Sequence, residues 1–289
     1  MKTALKLYSQ TYPSDLLETL HSPEASVTPV LILPGLFGST ANWRGFAKQL
    51  SDYSPVIVLD QRNHGRSPHA DSHNYFDMAS DLLKFLDDHN IQKIKLCGHS
   101  MGGKTAMVFS LLHPERVEQL AVLDIAPVTY THTHAPYLEA LIDLDLDSLN
   151  SRSEAEKRLK SLIPDTAIRL FLLQSLAGSV GSFEWRLNLT VLLKDMPNIL
   201  SFPSEKLAQN SKLGDTSESG VVSSSVDAIF VNGSLSDYVD VTHSTGILER
   251  FPKASFETVE GAAHWLHAEK PHEVLSVLLT FYDLGIKND

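Results

Sequence analysis

Short unbroken apolar runs alternate with stretches in which apolar residues recur every third or fourth position. Residues 29–33 and 56–59 are two such runs, and Trp43, Phe46, Ala47 and Leu50 recur at helical spacing between them. Met78, Leu82, Phe85 and Leu86 line one face of a next helix. Another apolar run follows at 94–97, then a helix over 101–113 stopped by Pro114, then a run at 117–123. Buried strands alternating with helices predict an α/β fold with a mainly parallel central sheet flanked by helices on both faces.

The alternation stops near residue 128. Residues 138–149, 154–162, 167–176 and 183–193 read as helices, and the polar stretch 214–220 reads as a mobile loop. Strand-like runs return at 228–231 and 255–259, with a helix over 242–251 between them and a last helix over 271–282. The pattern predicts one sheet core built from residues 1–127 and 226–289. Residues 128–225 are then an inserted helical lid.

Composition narrows the class. Of 289 residues, 43% are apolar and 20% charged, as in a globular protein. No apolar run has the length of a membrane span, so no stable membrane insertion is expected. Polar residues interrupt the apolar positions near the N-terminus, so no signal-peptide core is expected. Cys97 is the only cysteine, which excludes an intrachain disulfide. A cytoplasmic location is expected. A net charge of −11 argues against nucleic acid as a partner but not against a small neutral substrate. Monomer and homodimer both remain open.

The most informative segment, Leu96-Cys97-Gly98-His99-Ser100-Met101-Gly102-Gly103-Lys104-Thr105, fits two incompatible patterns. Gly98-x-Ser100-x-Gly102 is a nucleophile elbow, a strand-to-helix turn that exposes a serine hydroxyl. Gly98-x-x-x-x-Gly103-Lys104-Thr105 also fits a phosphate-cradling P-loop, which would make the chain a nucleotide-binding protein. Two strands and two helices precede the segment, whereas a P-loop usually follows a domain's first strand. The elbow also accounts for Ser100, and Gly261-Ala262-Ala263-His264-Trp265 supplies a late histidine in the chain order serine, acid, histidine.

Pro34-Gly35-Leu36-Phe37-Gly38, Asp60-Gln61-Arg62-Asn63-His64-Gly65-Arg66-Ser67, the elbow and the late histidine segment together resemble the α/β-hydrolase superfamily over nearly the whole chain. Asn63-His64-Gly65-Arg66-Ser67, Lys104-Thr105, Leu123-Asp124-Ile125-Ala126-Pro127, Trp185-Arg186-Leu187-Asn188-Leu189 and Ser236-Asp237-Tyr238-Val239 are similar to the YbfF-type esterases. The resemblance implies the α/β-hydrolase fold with a helical lid and a serine carboxylesterase that forms an acyl-enzyme. Acyl thioesters such as acyl-CoA are a close variant, and a C–C bond hydrolase would use the same triad. An aspartate-nucleophile dehalogenase or epoxide hydrolase is disfavoured because Ser100 holds the nucleophile position. A binding protein that has lost activity is disfavoured by the intact Ser100 and His264.

In this reading His264 is the base that takes the Ser100 proton. The backbone N–H groups of Met101 and Leu36 form the oxyanion hole, with Phe37 as the next candidate after Leu36. The usual late acid would fall at Ser236, and Asp237 stands one residue beyond it. Asp124, at the end of the strand after the elbow helix, is therefore favoured over Asp237; a similar placement is implied by the YbfF resemblance. No cofactor and no metal are called for, and His132 and His134 read as solvated lid residues. His64 and Arg66 are read as holding their own loop, Trp185 and Phe183 as lid core, and Cys97 as a packing residue.

Overall fold

A computed structural model describes residues 3–19, 27–210 and 221–285. The stretch 214–220, read above as a mobile loop, lies outside them.

Nine strands form among the described residues: β1 Ser9–Tyr12, β2 Val30–Leu33, β3 Val56–Leu59, β4 Ile94–His99, β5 Val117–Leu123, β6 Leu176–Ala177, β7 Glu184–Trp185, β8 Asp227–Gly233 and β9 Ala254–Val259. Seven make one sheet in the order β1-β3-β2-β4-β5-β8-β9. Only β1 runs antiparallel to its neighbour; the other pairings are parallel. The expected α/β architecture is thus present. The sequence pattern missed β1, a short edge strand whose polar Ser9 and Gln10 break the apolar signal.

The inner parallel strands β2 and β3 are apolar on both faces because both faces are covered. Val30 and Ile32 of β2 pack with Trp43, Phe46 and Leu50 of the helix Thr40–Leu50 and with Val274 and Leu278 of the last helix, Pro271–Phe281. Leu31 and Leu33, one residue along, join the other cluster with Met78, Leu82 and Phe85 of the helix Tyr75–Asp88 and Phe109 of the helix Met101–Leu112. Side chains on a strand alternate between faces, so one four-residue run feeds two cores. Each fully buried leucine there contributes roughly 2 kcal/mol of hydrophobic stabilisation.

Register brings the carboxyl ends of the central strands level. Leu33 pairs with Gly98, His99 with Leu123, Leu123 with Val231, and Gly233 with Val259. Every loop that leaves these ends therefore emerges on the same rim, where ligands bind in open α/β sheets.

Between β5 and β8 lie the helices Ala135–Ile142, Arg152–Leu159, Thr166–Leu173, Leu189–Lys194, Met196–Leu200 and Ser204–Asn210. The side chain of Ser151 caps Glu154 N–H at 3.1 Å, and that of Asp165 caps Ile168 N–H at 3.0 Å. Two expected helices differ. The one read over 138–149 stops at Ile142, where Asp143, Asp145 and Asp147 follow; aspartates compete for backbone hydrogen bonds and disfavour helix interiors. The one read over 183–193 is a hairpin arm first. Gly178 (φ +82°) and Gly181 (φ +77°) turn the chain so that β7 pairs with β6, and the helix starts only at Leu189. Among the described residues, no helix is long and apolar enough to cross a membrane.

Candidate active site

The elbow forms where the sequence places it. β4 ends at His99, the helix begins at Met101, and Ser100 between them has φ 52° and ψ −120°. A non-glycine residue held there stores on the order of 1–3 kcal/mol of strain. The flanking glycines allow the tight turn: a Cβ on Gly98 would fall 2.4 Å from the Gly102 carbonyl oxygen, and one on Gly102 would fall 2.1 Å from that of Leu33.

Three strand ends bring three side chains together. His264 Nε2 lies 3.0 Å from Ser100 Oγ, and His264 Nδ1 lies 2.7 Å from Asp124 Oδ2. The bonds fit an imidazole that carries its proton on Nδ1 and accepts the serine hydroxyl proton on Nε2. Asp124 is fully buried at the end of β5, with φ 52°. Gly233 N–H donates to its Oδ1 at 3.1 Å, and the Ser236 hydroxyl donates to its Oδ2. Asp237 is exposed. The carboxylate that meets His264 is therefore that of Asp124, and the serine in the late position hydrogen-bonds to it.

The two candidate oxyanion donors border Ser100. Leu36 and Met101 line a small cavity beside its hydroxyl. Phe37, the alternative, has its N–H bound to His64 Nε2 at 3.1 Å. His64 Nδ1 faces the Arg62 carbonyl oxygen at 3.0 Å, so the neutral ring donates there and accepts from Phe37. Burial pushes the His64 pKa down to about 4, which keeps the acceptor nitrogen free of a proton. His64 thus ties its own loop to the Pro34–Gly38 turn, where Phe37 has φ 67°. Arg66 N–H donates to Asp60 Oδ2 at 2.8 Å and its guanidinium reaches Tyr8 Oη at 2.9 Å, a loop-holding arrangement as expected.

Lys104 does not point toward a phosphate site. Its side chain is buried, and its Nζ donates to the carbonyls of Val128 (2.8 Å), Leu200 (2.7 Å) and Ser201 (3.1 Å). It also lies 4.7 Å from the centre of the Tyr130 ring. Burial pushes its pKa down to about 7. Thr105 Oγ1 bonds to Gln61 Oε1 at 2.9 Å.

Some site residues were not singled out from the sequence. Tyr238 stacks on the His264 ring, with centroids 3.9 Å apart and planes 17° apart. His99 Nε2 donates to the His264 carbonyl at 2.8 Å, and burial holds its pKa well below the ordinary histidine value. Glu269 accepts from the N–H groups of Ala263 at 2.7 Å and Trp265 at 3.3 Å, fixing both flanks of His264. Tyr238 belonged to a quoted motif, but stacking across 26 positions of chain leaves no periodic trace.

His132 is exposed, as expected, whereas His134 is half-buried rather than solvated. His132 Nε2 lies 2.9 Å and His134 Nε2 3.4 Å from Tyr238 Oη, and His134 packs edge-on against Phe37. The Tyr238 ring beside His264 draws both toward the site. Burial, then the neighbouring His132 and His264, lowers the His134 pKa to about 4. Among the described residues, no group of three or more His, Cys, Asp or Glu is arranged to hold a metal ion. Trp185 donates its indole N–H to the Leu141 carbonyl at 3.1 Å and packs with Phe183 against the core, as read. Cys97 is buried and its thiol pKa is pushed up to about 12.

A cavity of about 270 Å³ opens over Ser100 and His264. Leu36, Trp43, Ile168, Phe171, Leu172 and Trp265 give it mostly apolar walls.

Residues 28–271 match the family model described as the alpha/beta hydrolase fold. The chain is similar to an sn-1-specific diacylglycerol lipase of Danio rerio, 36% identical over 278 residues that cover 93% of this chain and 83% of that one. It is similar to esterase YbfF of Escherichia coli, 33% identical over 252 residues that cover 87% of this chain and 91% of the other. A solved structure of a marine microorganism esterase superposes with a TM-score of 0.83 at 36% identity, covering 96% of this chain and all (100%) of that one. With its sheet, its elbow and these relatives, the chain belongs to the α/β-hydrolase family, in the YbfF-like group, and is a hydrolase of the esterase type.

Proposed function

We propose that the protein is a serine carboxylesterase in which Ser100, His264 and Asp124 form the catalytic triad. The observation that carries this reading is the continuous hydrogen-bonded chain from Ser100 Oγ through His264 to Asp124, at the floor of an apolar cavity. His264 takes the hydroxyl proton as Oγ attacks the ester carbonyl, and Asp124 stabilises the imidazolium that forms. The N–H groups of Leu36 and Met101 meet the developing oxyanion, and the start of the elbow helix adds its dipole. His264 then protonates the leaving alcohol, and water releases the acid by the same steps in reverse.

Residues 128–225 act as the lid, because Ile168, Phe171 and Leu172 wall the cavity from that side. Among the described residues, the lining contains neither Lys nor Arg. That favours esters of uncharged alcohols over acyl-CoA thioesters, whose leaving group carries phosphates. The names of the relatives, esterase and diacylglycerol lipase, also point to ester bonds.

A fluorophosphonate probe should label the wild type. Ser100→Ala should escape labelling and lose about a thousandfold or more in turnover of p-nitrophenyl acetate. Undiminished labelling of Ser100→Ala would overturn the proposal.

A further inference from the structure

An imidazole turns easily about the bond that joins it to its Cβ. Two hydrogen bonds fix the His264 ring at its nitrogens, but they do not by themselves hold its plane. Among the described residues, Tyr238, His99 and Trp265 are the rings beside it, and Tyr238 alone lies nearly parallel. Its centroid is 3.9 Å from that of His264 and its plane is tilted by 17°, against 4.8 Å and 43° for His99 and 6.3 Å and 54° for Trp265.

Tyr238 is itself held from three sides. Its carbonyl accepts from Tyr130 Oη at 2.6 Å, and Tyr130 Oη accepts from Ala126 N–H at 2.9 Å, just beyond Asp124. Its N–H donates to Ser236 Oγ at 3.3 Å, and that hydroxyl donates to Asp124. Its own hydroxyl lies 2.9 Å from His132 Nε2 and 3.4 Å from His134 Nε2. Burial, then the Asp124 charge, pushes the Tyr238 pKa up to about 12, so the ring against His264 stays a neutral phenol.

Resting on the esterase reading above, we propose that Tyr238 is a positioning residue of the triad: its ring holds the plane of the His264 imidazole and favours the imidazolium that forms when Ser100 loses its proton. The negative face of an aromatic ring attracts a cation laid over it. That attraction is weak while His264 is neutral and full once it is charged. The ring therefore lowers the barrier rather than tightening substrate binding.

The other groups around His264 leave this role to Tyr238. Asp124 meets Nδ1 at 2.7 Å and is the anionic partner. His99 approaches from the end of β4, His267 from the helix Leu266–Glu269, and His132 and His134 from the start of the insertion. Burial lowers the pKa of all four, to about 4 for His134, to about 3 for His267 and well below the ordinary value for His99. Glu269 binds the backbone on both flanks of His264 rather than its ring. Lys104, pushed down to about 7, lies over Tyr130 and is common to every variant below.

The test compares the full-length wild type with Tyr238→Leu, Tyr238→Met and Tyr238→Phe on p-nitrophenyl acetate across the acid limb of the rate profile. The backbone bonds of Tyr238 do not need its side chain, so the loop keeps its path, and thermal melts check this. Tyr238→Leu fills space without an aromatic face. It should lower kcat by about fivefold to thirtyfold with KM within about twofold. The acid limb of kcat/KM should move to lower pH by about 0.3 to 1 pH unit, because the protonated ring has lost a partner. Tyr238→Met should behave alike and stands in if the leucine variant melts early. Tyr238→Phe keeps the ring and loses the hydroxyl contacts, so its kcat should stay within about twofold and its limb in place. Tyr238 also borders both cavities beside Ser100. An unmoved limb in both Tyr238→Leu and Tyr238→Met, or a loss confined to KM, would make it a cavity wall and overturn the proposal while the esterase reading stands. An equal loss in Tyr238→Phe would assign the effect to the hydroxyl and overturn it too. A wild type that turns over no ester would remove both.

Discussion

The sheet rim and the helical insertion both border Ser100, and they are built by different rules. On the rim, β4, β5 and β8 are buried nearly throughout and share one parallel register, so Ser100, Asp124 and Gly233 leave adjacent strand ends. Positive φ values at Ser100 and Asp124 are held by that frame. The insertion consists of short helices that leave Leu162 (59%), Leu170 (47%) and Val180 (62%) exposed. Its Ile168, Phe171 and Leu172 reach the cavity as apolar surface and carry no charge. A rigid frame fixes reacting atoms to within tenths of an ångström, which proton transfer demands. A loosely packed wall of side chains needs only shape and hydrophobicity, and tolerates change. Variants of the frame should therefore alter kcat, and variants of the insertion should alter selectivity.

The sharpest way to break the comparison is at Asp124. Asp124→Asn keeps the shape but removes the charge that orients His264. It should lower kcat by roughly a hundredfold to ten-thousandfold with KM nearly unchanged, and a thermal melt must show the fold intact. A fully active, normally melting Asp124→Asn enzyme would end the frame argument.

Lys104 joins the two regions, so it tests their coupling through stability. Its pKa is pushed down to about 7 in the folded chain, whereas an unfolded lysine titrates near ~10.4. Below about pH 7 the group is protonated in both states and its burial cost is felt in full. Between about pH 7 and 10 the unfolded chain binds more protons than the folded one, so stability rises with pH. Lys104→Met lacks this linkage. The wild-type urea midpoint should climb relative to that of Lys104→Met across this window, by at most about 4 kcal/mol in stability. A difference that stays flat or falls with pH would contradict the burial described here.

A smaller effect belongs to Ser236, whose hydroxyl is one of three donors to Asp124, beside Gly233 N–H and His264 Nδ1. Gly233 N–H remains in Ser236→Ala, so kcat should fall about three- to tenfold, the scale of one hydrogen bond. The smallest change is expected for Asp237→Asn, within about twofold in kcat/KM, because that side chain is exposed. If Asp237→Asn lost more activity than Ser236→Ala, a direct part for Asp237 in the triad would have to be reconsidered.

Much of the frame was legible from single residues. The unbroken apolar runs at β2 and β3 read as strands buried on both faces, and Ser100 between its glycines, with the late His264, favoured the elbow over a phosphate loop. The insertion was less legible. Its helices were recognised as helices, but the hairpin of β6 and β7 pairs Leu176 with Trp185 and Ala177 with Glu184, a pairing that apolar periodicity over 183–193 disguised. His134 was misread for the same reason, since its partner Tyr238 lies more than 100 residues away.

The sequence by itself determined most elements of the sheet core, the elbow, the candidate serine and histidine, and the choice against a phosphate loop. Those features rest on local sterics and periodicity, which act over a few residues. Only the tertiary structure decided that His264 meets Asp124 rather than exposed Asp237, that Phe37 N–H is already occupied by His64, and that Ser100 divides a large cavity from a small one. Each of these depends on packing between segments tens to more than a hundred residues apart, and no local pattern encodes the direction in which such side chains face.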